Sequence, residues 1–147
     1  MTVRLALYKA PGDLVDRAVR FWTRSIYSHC ELVLADGRFV SSSPRDGGVR
    51  AKCIEPAQIA WDFVALPWVK QEDVEAALKR EGGAGYDWVG IIGSQLLPVG
   101  IHSRRRWFCS EFCGAVMGLE KPERYSPGEL AELVAWMGRV SVPSSAL

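Results

Sequence analysis

The sequence predicts an α+β domain, an antiparallel sheet packed against helices, on three observations. Short β-type runs crowd the first half of the chain, and helical periodicity takes over after Gln71. The 147 residues, 48% of them hydrophobic, suffice for one core without disulfide or metal support. Residues 1–147 are read as a single domain with no repeat or linker, and the tail 142–147 (VPSSAL) is expected to fray.

The elements follow in order. Val3–Tyr8 (VRLALY) reads as a first strand, alternating early and then continuously apolar. From Asp13, the positions Leu14, Val15, Ala18, Val19 and Trp22 recur at helical spacing, with Asp16, Arg17, Arg20 and Arg24 on the other side; this is an amphipathic helix expected to lie on something apolar. Strand-like pieces follow at Ser28–Leu34, at Arg38–Ser42 after the turn residues Asp36-Gly37, at Val49–Ile54 and at Asp62–Leu66. Their closeness in sequence predicts an antiparallel meander. Gln71–Arg80 is a charged surface helix ended by Gly82-Gly83, and Tyr86–Leu97 a buried helix closed by Pro98. Cys109–Leu119 is a third apolar helix, and Ser126-Pro127-Gly128-Glu129 opens another with a capping box and Pro at the first helical position.

Composition narrows the function classes. A net charge of +1 and a pI near 7.7 give no global electrostatic reason to expect nucleic acid or an anionic membrane as partner. The N-terminus (MTVRLALYKAPGD) breaks at Pro11-Gly12 before any signal-peptide core develops, which points to a cytoplasmic or phage-delivered protein. The longest apolar segment, Trp88–Ile101, is interrupted by Gly, Ser, Gln and Pro, and falls short of the roughly 20 residues a spanning helix needs. Four cysteines without a secretory signal fit free thiols better than a disulfide framework.

That leaves thiol chemistry, and the question of which cysteine has a base. Two histidines are present. His102 lies in the polar, arginine-flanked loop IHSRRR, whereas His29 sits in a strand expected to be central, where its geometry is fixed; His29 is the better base. Alone it would read as a satisfied core histidine. Cys109 stands where the basic, aromatic stretch RRRWF meets a helix start, so its sulfur should face unpaired backbone N–H groups and the positive end of the helix dipole. Both that position and nearby arginines lower a thiol's pKa. Cys113 lies one turn deeper, Cys30 and Cys53 lie in strands, and buried packing is the expected role of all three. A cysteine at a helix start and a histidine on a strand form the pairing that papain-like hydrolases use.

Four segments in this order, YSHCELVL, DGRFVSSSPRDGGVR, GYDWVGIIG and WFCSEF, resemble the circularly permuted branch of the NlpC-type cell-wall peptidase superfamily. That branch includes the YiiX-type permuted papain-like amidases and, more distantly, lecithin:retinol acyltransferase-like enzymes. The similarity spans about residues 3–118. It implies a permuted papain-like fold, Cys109 as nucleophile, His29 as general base, and the Cys109 backbone N–H as one donor to the oxyanion. Related enzymes often place Glu or His about a dozen residues after the histidine, where this chain has Ser41-Ser42-Ser43. Two candidates remain for the group that orients the imidazole. Glu31 shares a strand face with His29, their Cβ atoms roughly 6 to 7 Å apart by strand geometry; its plain role would be a solvent-side charge or an arginine partner. Ser41 matches the family position better and offers a weaker, neutral acceptor. Glu31 is preferred.

Around this pair, Glu111 is expected to cap its helix, Tyr27 either lines the cleft or packs as a strand aromatic, and the Arg104–Arg106 run, Arg106 foremost, is either a solvated loop or a contact for an anionic substrate group. The leading expectation is a cysteine hydrolase of amide bonds, plausibly cell-wall peptide, with no cofactor and no metal; its partner is a peptide, amide or acyl substrate. One alternative is a lipid acyl hydrolase or acyltransferase using the same pair, although those relatives carry an NCEHF-like motif and a membrane anchor, neither seen here. Another is a catalytically inactive or metal- or ligand-binding domain. For zinc the spacing is poor, since the chain has no CxxC or HxxxH pair and Cys109-x3-Cys113 is the only close one.

Overall fold

Three consecutive residues of the first strand, Leu5, Ala6 and Leu7, are buried almost completely, which means that both faces of that strand are covered. The arrangement that achieves this is seen in the computed structural model, which describes residues 2–43, 45–55, 60–82, 85–86 and 106–140. The fold is α+β, with strands β1 (Arg4–Tyr8), β2 (His29–Val33), β3 (Arg38–Ser43), β4 (Gly48–Cys53) and β5 (Trp61–Ala65) in one antiparallel sheet of order β4-β3-β2-β1-β5. The helices are α1 (Leu14–Thr23), α2 (Gln71–Glu81), α3 (Cys109–Val116) and α4 (Pro127–Val140), with a 3₁₀ turn at Pro122–Arg124. Two short strands, β6 (Gly85–Tyr86) and β7 (Arg106–Trp107), pair in parallel.

The expected meander is only partly realised. β2, β3 and β4 pair in sequence order, but β5 crosses to the far side of β1, in register Leu5↔Val64 and Leu7↔Asp62. A full meander would have left β1 at an edge with unpaired backbone groups and two apolar faces; β5 removes that cost. Tyr86 belongs to β6 instead of opening a helix, and the rest of the helix expected over 86–97 lies outside the described residues, as does the tail 142–147.

One face of the sheet carries the main core: Leu5, Leu7, Leu32 and Val40 pack with Phe112 and Cys113 of α3, Leu130 and Val134 of α4, and Val74 of α2. Ala6, Val33, Phe39 and Trp61 make a smaller aromatic cluster on the other face. Glu129 and Ser126 form the expected capping box: the Glu129 N–H donates to the Ser126 hydroxyl at 3.2 Å, and the Ser126 N–H to the Glu129 carboxylate at 2.7 Å. α3 stops three residues earlier than the periodicity implies, because Gly118 takes a φ of +88° and turns the chain out of the helix.

α1 also departs from expectation. Asp13 and Asp16 close a capping box at its start, but its buried residues are Asp16 and Val19, while Leu14 is 78% exposed and Trp22 45%. Polar ties set this rotation. The Ser28 hydroxyl and Arg45 hold the Asp16 carboxylate at 2.8 and 2.6 Å, and Arg20 reaches back to the carbonyls of Lys9, Ala10 and Pro11. Gly12, with φ +61°, lies so close to Asp16 that any side chain there would collide with the carboxylate.

Candidate active site

The site forms where two strands part. The β2–β3 register consists of Leu32↔Val40 and Val33↔Phe39, whereas β3 and β4 stay paired to Ser43↔Gly48. Continuing the same register would set Cys30 opposite Ser42. Instead, side chains take over the Cys30 backbone: its carbonyl accepts from the Ser41 hydroxyl at 2.8 Å and from the Cys113 thiol at 3.7 Å, and its N–H is directed at the Cys109 sulfur. The Ser42 hydroxyl donates to the Trp107 carbonyl at 2.6 Å, fixing the lead into α3. Phe108 is extended, and its N–H is capped by Glu111 at 3.3 Å, the expected role of that carboxylate.

Cys109, the first residue of α3, has no exposed surface and lies within hydrogen-bonding reach of His29. His29 Nε2 meets Glu31 Oε1 at 3.0 Å, so Nδ1 is the ring nitrogen left for the sulfur. Glu31, 2% exposed, accepts a two-pronged contact from Arg50, Nη1 to Oε2 at 2.6 Å and Nη2 to Oε1 at 2.9 Å. Arg50 Nε in turn donates to Asp46 at 2.7 Å, and Asp46 also takes Lys52 at 3.0 Å.

These neighbours decide the protonation states. Burial alone would raise the Cys109 thiol, but hydrogen bonding from the Cys30 thiol, the charge and hydrogen bond of His29, and the Cys30 N–H together bring it down to about 5. Burial likewise opposes a charged imidazole, and the Cys109 thiolate and Glu31 carboxylate overcome it, pushing His29 up to about 10. Glu31 is held down at about 2, against its own burial, by His29 and then Arg50. Cys30 is driven the other way, well above the ordinary thiol range, by burial and by its sulfur neighbours, and it stays a donor. The resting pair at neutral pH is therefore a thiolate and an imidazolium.

A cleft of about 520 Å³ opens onto the outer members of this chain of groups, His29, Glu31, Arg50, Asp46 and Lys52, and Cys109 is not among the residues that line it. His29 and Glu31 lie at its floor; Tyr8 and Trp61 continue the row across β1 and β5, being paired in register with His29 and with each other. Val15 and Val19 of α1 form one wall, and Arg50 and Lys52 of β4 another.

The structure thus brings Cys109, His29 and Glu31 together. Ser41 is buried close by but spends its hydroxyl on the Cys30 carbonyl. Tyr27 does not line this cleft but borders a different groove, and its hydroxyl donates to Asp62 at 2.8 Å; burial and this donation push it up to about 12. Arg106 contributes its backbone to β7, while His102, Arg104 and Arg105 lie outside the described residues. Cys30 and Cys113 are buried as expected, but Cys53 is exposed, because it ends the edge strand β4 with nothing packed over it among the described residues. Arg50 and Asp46 escaped the sequence reading; the hairpin that sets Arg50 opposite Ser41 was the available signal.

No protein-family model matches the chain, and no curated protein matches it either. Among the described residues, no group of three or more His, Cys, Asp or Glu side chains could hold a metal ion, and no helix is long and apolar enough to cross a membrane.

Proposed function

We propose that the protein is a cysteine hydrolase of amide bonds with a circularly permuted papain-like arrangement, working through an acyl-thioester on Cys109. The observation that carries this reading is the contact of Cys109 with an imidazole whose far nitrogen is held by a buried carboxylate. The thiolate attacks the amide carbon, and the electron pair moves onto the carbonyl oxygen, where the Cys109 N–H at the helix start is one donor. Collapse expels the amine, which takes the Nδ1 proton from His29 and leaves an acyl-thioester and a neutral imidazole. His29 then takes a proton from water, the hydroxide attacks the thioester, and the thiolate departs. Glu31 orients the ring and stabilises its charged form throughout. Because the sulfur is covered, a bound substrate must displace a neighbouring side chain to reach it.

Peptide amides of the cell-wall type fit the resemblance of the four motif segments, with delivery by a phage particle as a matching route. A lipid acyl ester is the second reading. Leu14, Phe21 and Ile26 favour it, standing 78%, 82% and 61% exposed beside the exposed arginines Arg17 and Arg24. The deciding experiment incubates the protein with muropeptides and, separately, with phospholipid vesicles, and analyses acid-quenched samples by mass spectrometry. Amide cleavage with an acyl adduct on the peptide containing Cys109 supports the first reading, and ester cleavage the second. Product formation that survives Cys109→Ala would overturn both.

A further inference from the structure

We propose that Arg50 is a positioning residue of the Cys109–His29 pair, acting by clamping both oxygens of Glu31. The inference rests on the reading above and extends it to a fourth member. Glu31 has three side-chain torsions, and a single hydrogen bond to His29 would leave its carboxylate free to turn about the last of them. The guanidinium fork fixes the carboxylate plane, and with it the line from Oε1 to Nε2.

Arg50 is itself fixed. Its Nε is taken by Asp46, its side chain is only 16% exposed, and its backbone pairs with Ser41, the residue that holds the Cys30 carbonyl beside the sulfur. One cross-strand pair therefore steadies both ends of the site, Ser41 on the cysteine side and Arg50 on the carboxylate side. A chemical consequence follows. With a guanidinium on both oxygens, protonating Glu31 would strip the Arg50 fork of its anion and leave the cation held through Nε by Asp46 alone, so the Nε2 proton stays on the ring and the Nδ1 proton is the one that moves.

The test uses iodoacetamide as probe, in the whole 147-residue chain carrying Cys53→Ser to silence the exposed thiol. Alkylation of Cys109 reads the pair without any substrate, so its outcome stands apart from whether Cys109→Ala abolishes turnover. The midpoint of the alkylation rate profile between pH 4 and 10 is compared for the parent, Arg50→Gln, Glu31→Gln and the double variant. Arg50→Gln is expected to raise that midpoint by about one pH unit. The double variant is expected to match Glu31→Gln within about 0.3 unit, because Arg50 acts through Glu31 alone. A parental midpoint in Arg50→Gln, or single shifts that add in the double variant, would overturn the proposal. If Arg50→Gln fails to fold, Arg50→Lys and Asp46→Asn decide instead. The lysine keeps the charge but not the fork, and the asparagine loosens the clamp from outside; each is expected to raise the midpoint by at least about half a unit, and parental midpoints in both refute the clamp.

Discussion

Replacing His29 by alanine tests the central electrostatic claim, and the size of the effect dictates how to measure it. In the native site the Cys109 thiol ionises near pH 5; without the imidazolium, burial is opposed only by Cys30, and the thiol should return to 9 or above. At pH 7 the thiolate fraction would then fall about 100-fold. Intrinsic nucleophilicity, however, rises with basicity at a Brønsted slope of about 0.4–0.5, so a shift of four units makes each thiolate about 40 to 100 times more reactive. The two effects nearly cancel at neutral pH, leaving about a one- to threefold change that would prove nothing. At pH 5.5 the balance differs: roughly three-quarters of the native sulfur is ionised against roughly three parts in ten thousand in the variant, a ratio of about 2,500. Divided by the nucleophilicity gain, this leaves a fall in alkylation rate of about 25- to 60-fold.

The assay is therefore iodoacetamide alkylation of Cys109 from pH 4 to 10 in a Cys53→Ser background, with the labelled peptide identified by mass spectrometry. The midpoint of the rate profile is the decisive quantity. Removing the ring opens access to a covered sulfur, which changes the height of the curve and not its midpoint. A parental midpoint near pH 5 in His29→Ala would show that the helix start and Cys30 suffice, and the Cys–His pairing would lose its basis.

Glu31→Gln should flatten the acid side of the stability profile. A carboxyl lowered from 4.5 to about 2 contributes stability that is fully present above pH 4.5 and is lost as pH falls toward 2, so urea unfolding between those values should show a shallower slope in the variant. The slope will not vanish, since Asp13 and Asp46 are lowered as well. An unchanged slope would mean that Glu31 is not ionised in the fold. Gly12→Ala should cost about 1–3 kcal/mol, because φ is +61° and the new methyl collides with Asp16; equal melting temperatures would refute that account. Phe112→Ala empties a site that is 1% exposed between the sheet and α3, and about 3–5 kcal/mol should be lost in denaturant titration; a loss under about 1 kcal/mol would show that α3 is loosely packed.

Local pattern was enough to read most strands and the starts of the helices, and it placed His29, Glu31 and Cys109 on elements whose geometry favoured a pairing. What it left out depends on partners distant in sequence. The crossing of β5 to β1 was signalled only by the unbroken apolar run Leu5-Ala6-Leu7, a pattern that also fits a buried helix turn. The rotation of α1 defeated its own periodicity: it turns Asp16 inward to Ser28 and Arg45 and leaves Leu14 facing out, and those contacts span 12 and 29 residues. Arg50 reads in sequence as one of several strand cations; only the β3–β4 register and the bend of Glu31 toward it distinguish it from Arg38 or Lys52.

The same reasoning explains how a fully buried sulfur can be charged at all. Moving a lone thiolate out of water is prohibitive, and a single buried ion pair rarely repays the desolvation of both partners. Here the charges alternate outward: Cys109 negative, His29 positive, Glu31 negative, Arg50 positive, Asp46 negative, Lys52 positive. Every interior member has an opposite charge on each side, and the series ends on a side chain that is 55% exposed, where water takes over. Interrupting such a series at its middle does more harm than trimming its end. Lys52→Ala, whose ammonium is replaceable by solvent, should leave the alkylation midpoint of Cys109 where it is, while Glu31→Gln strips the imidazolium of one flank and should raise that midpoint. Equal shifts from the two substitutions would mean that the field at the sulfur is set by net charge, and that the order of the groups along the series carries no weight.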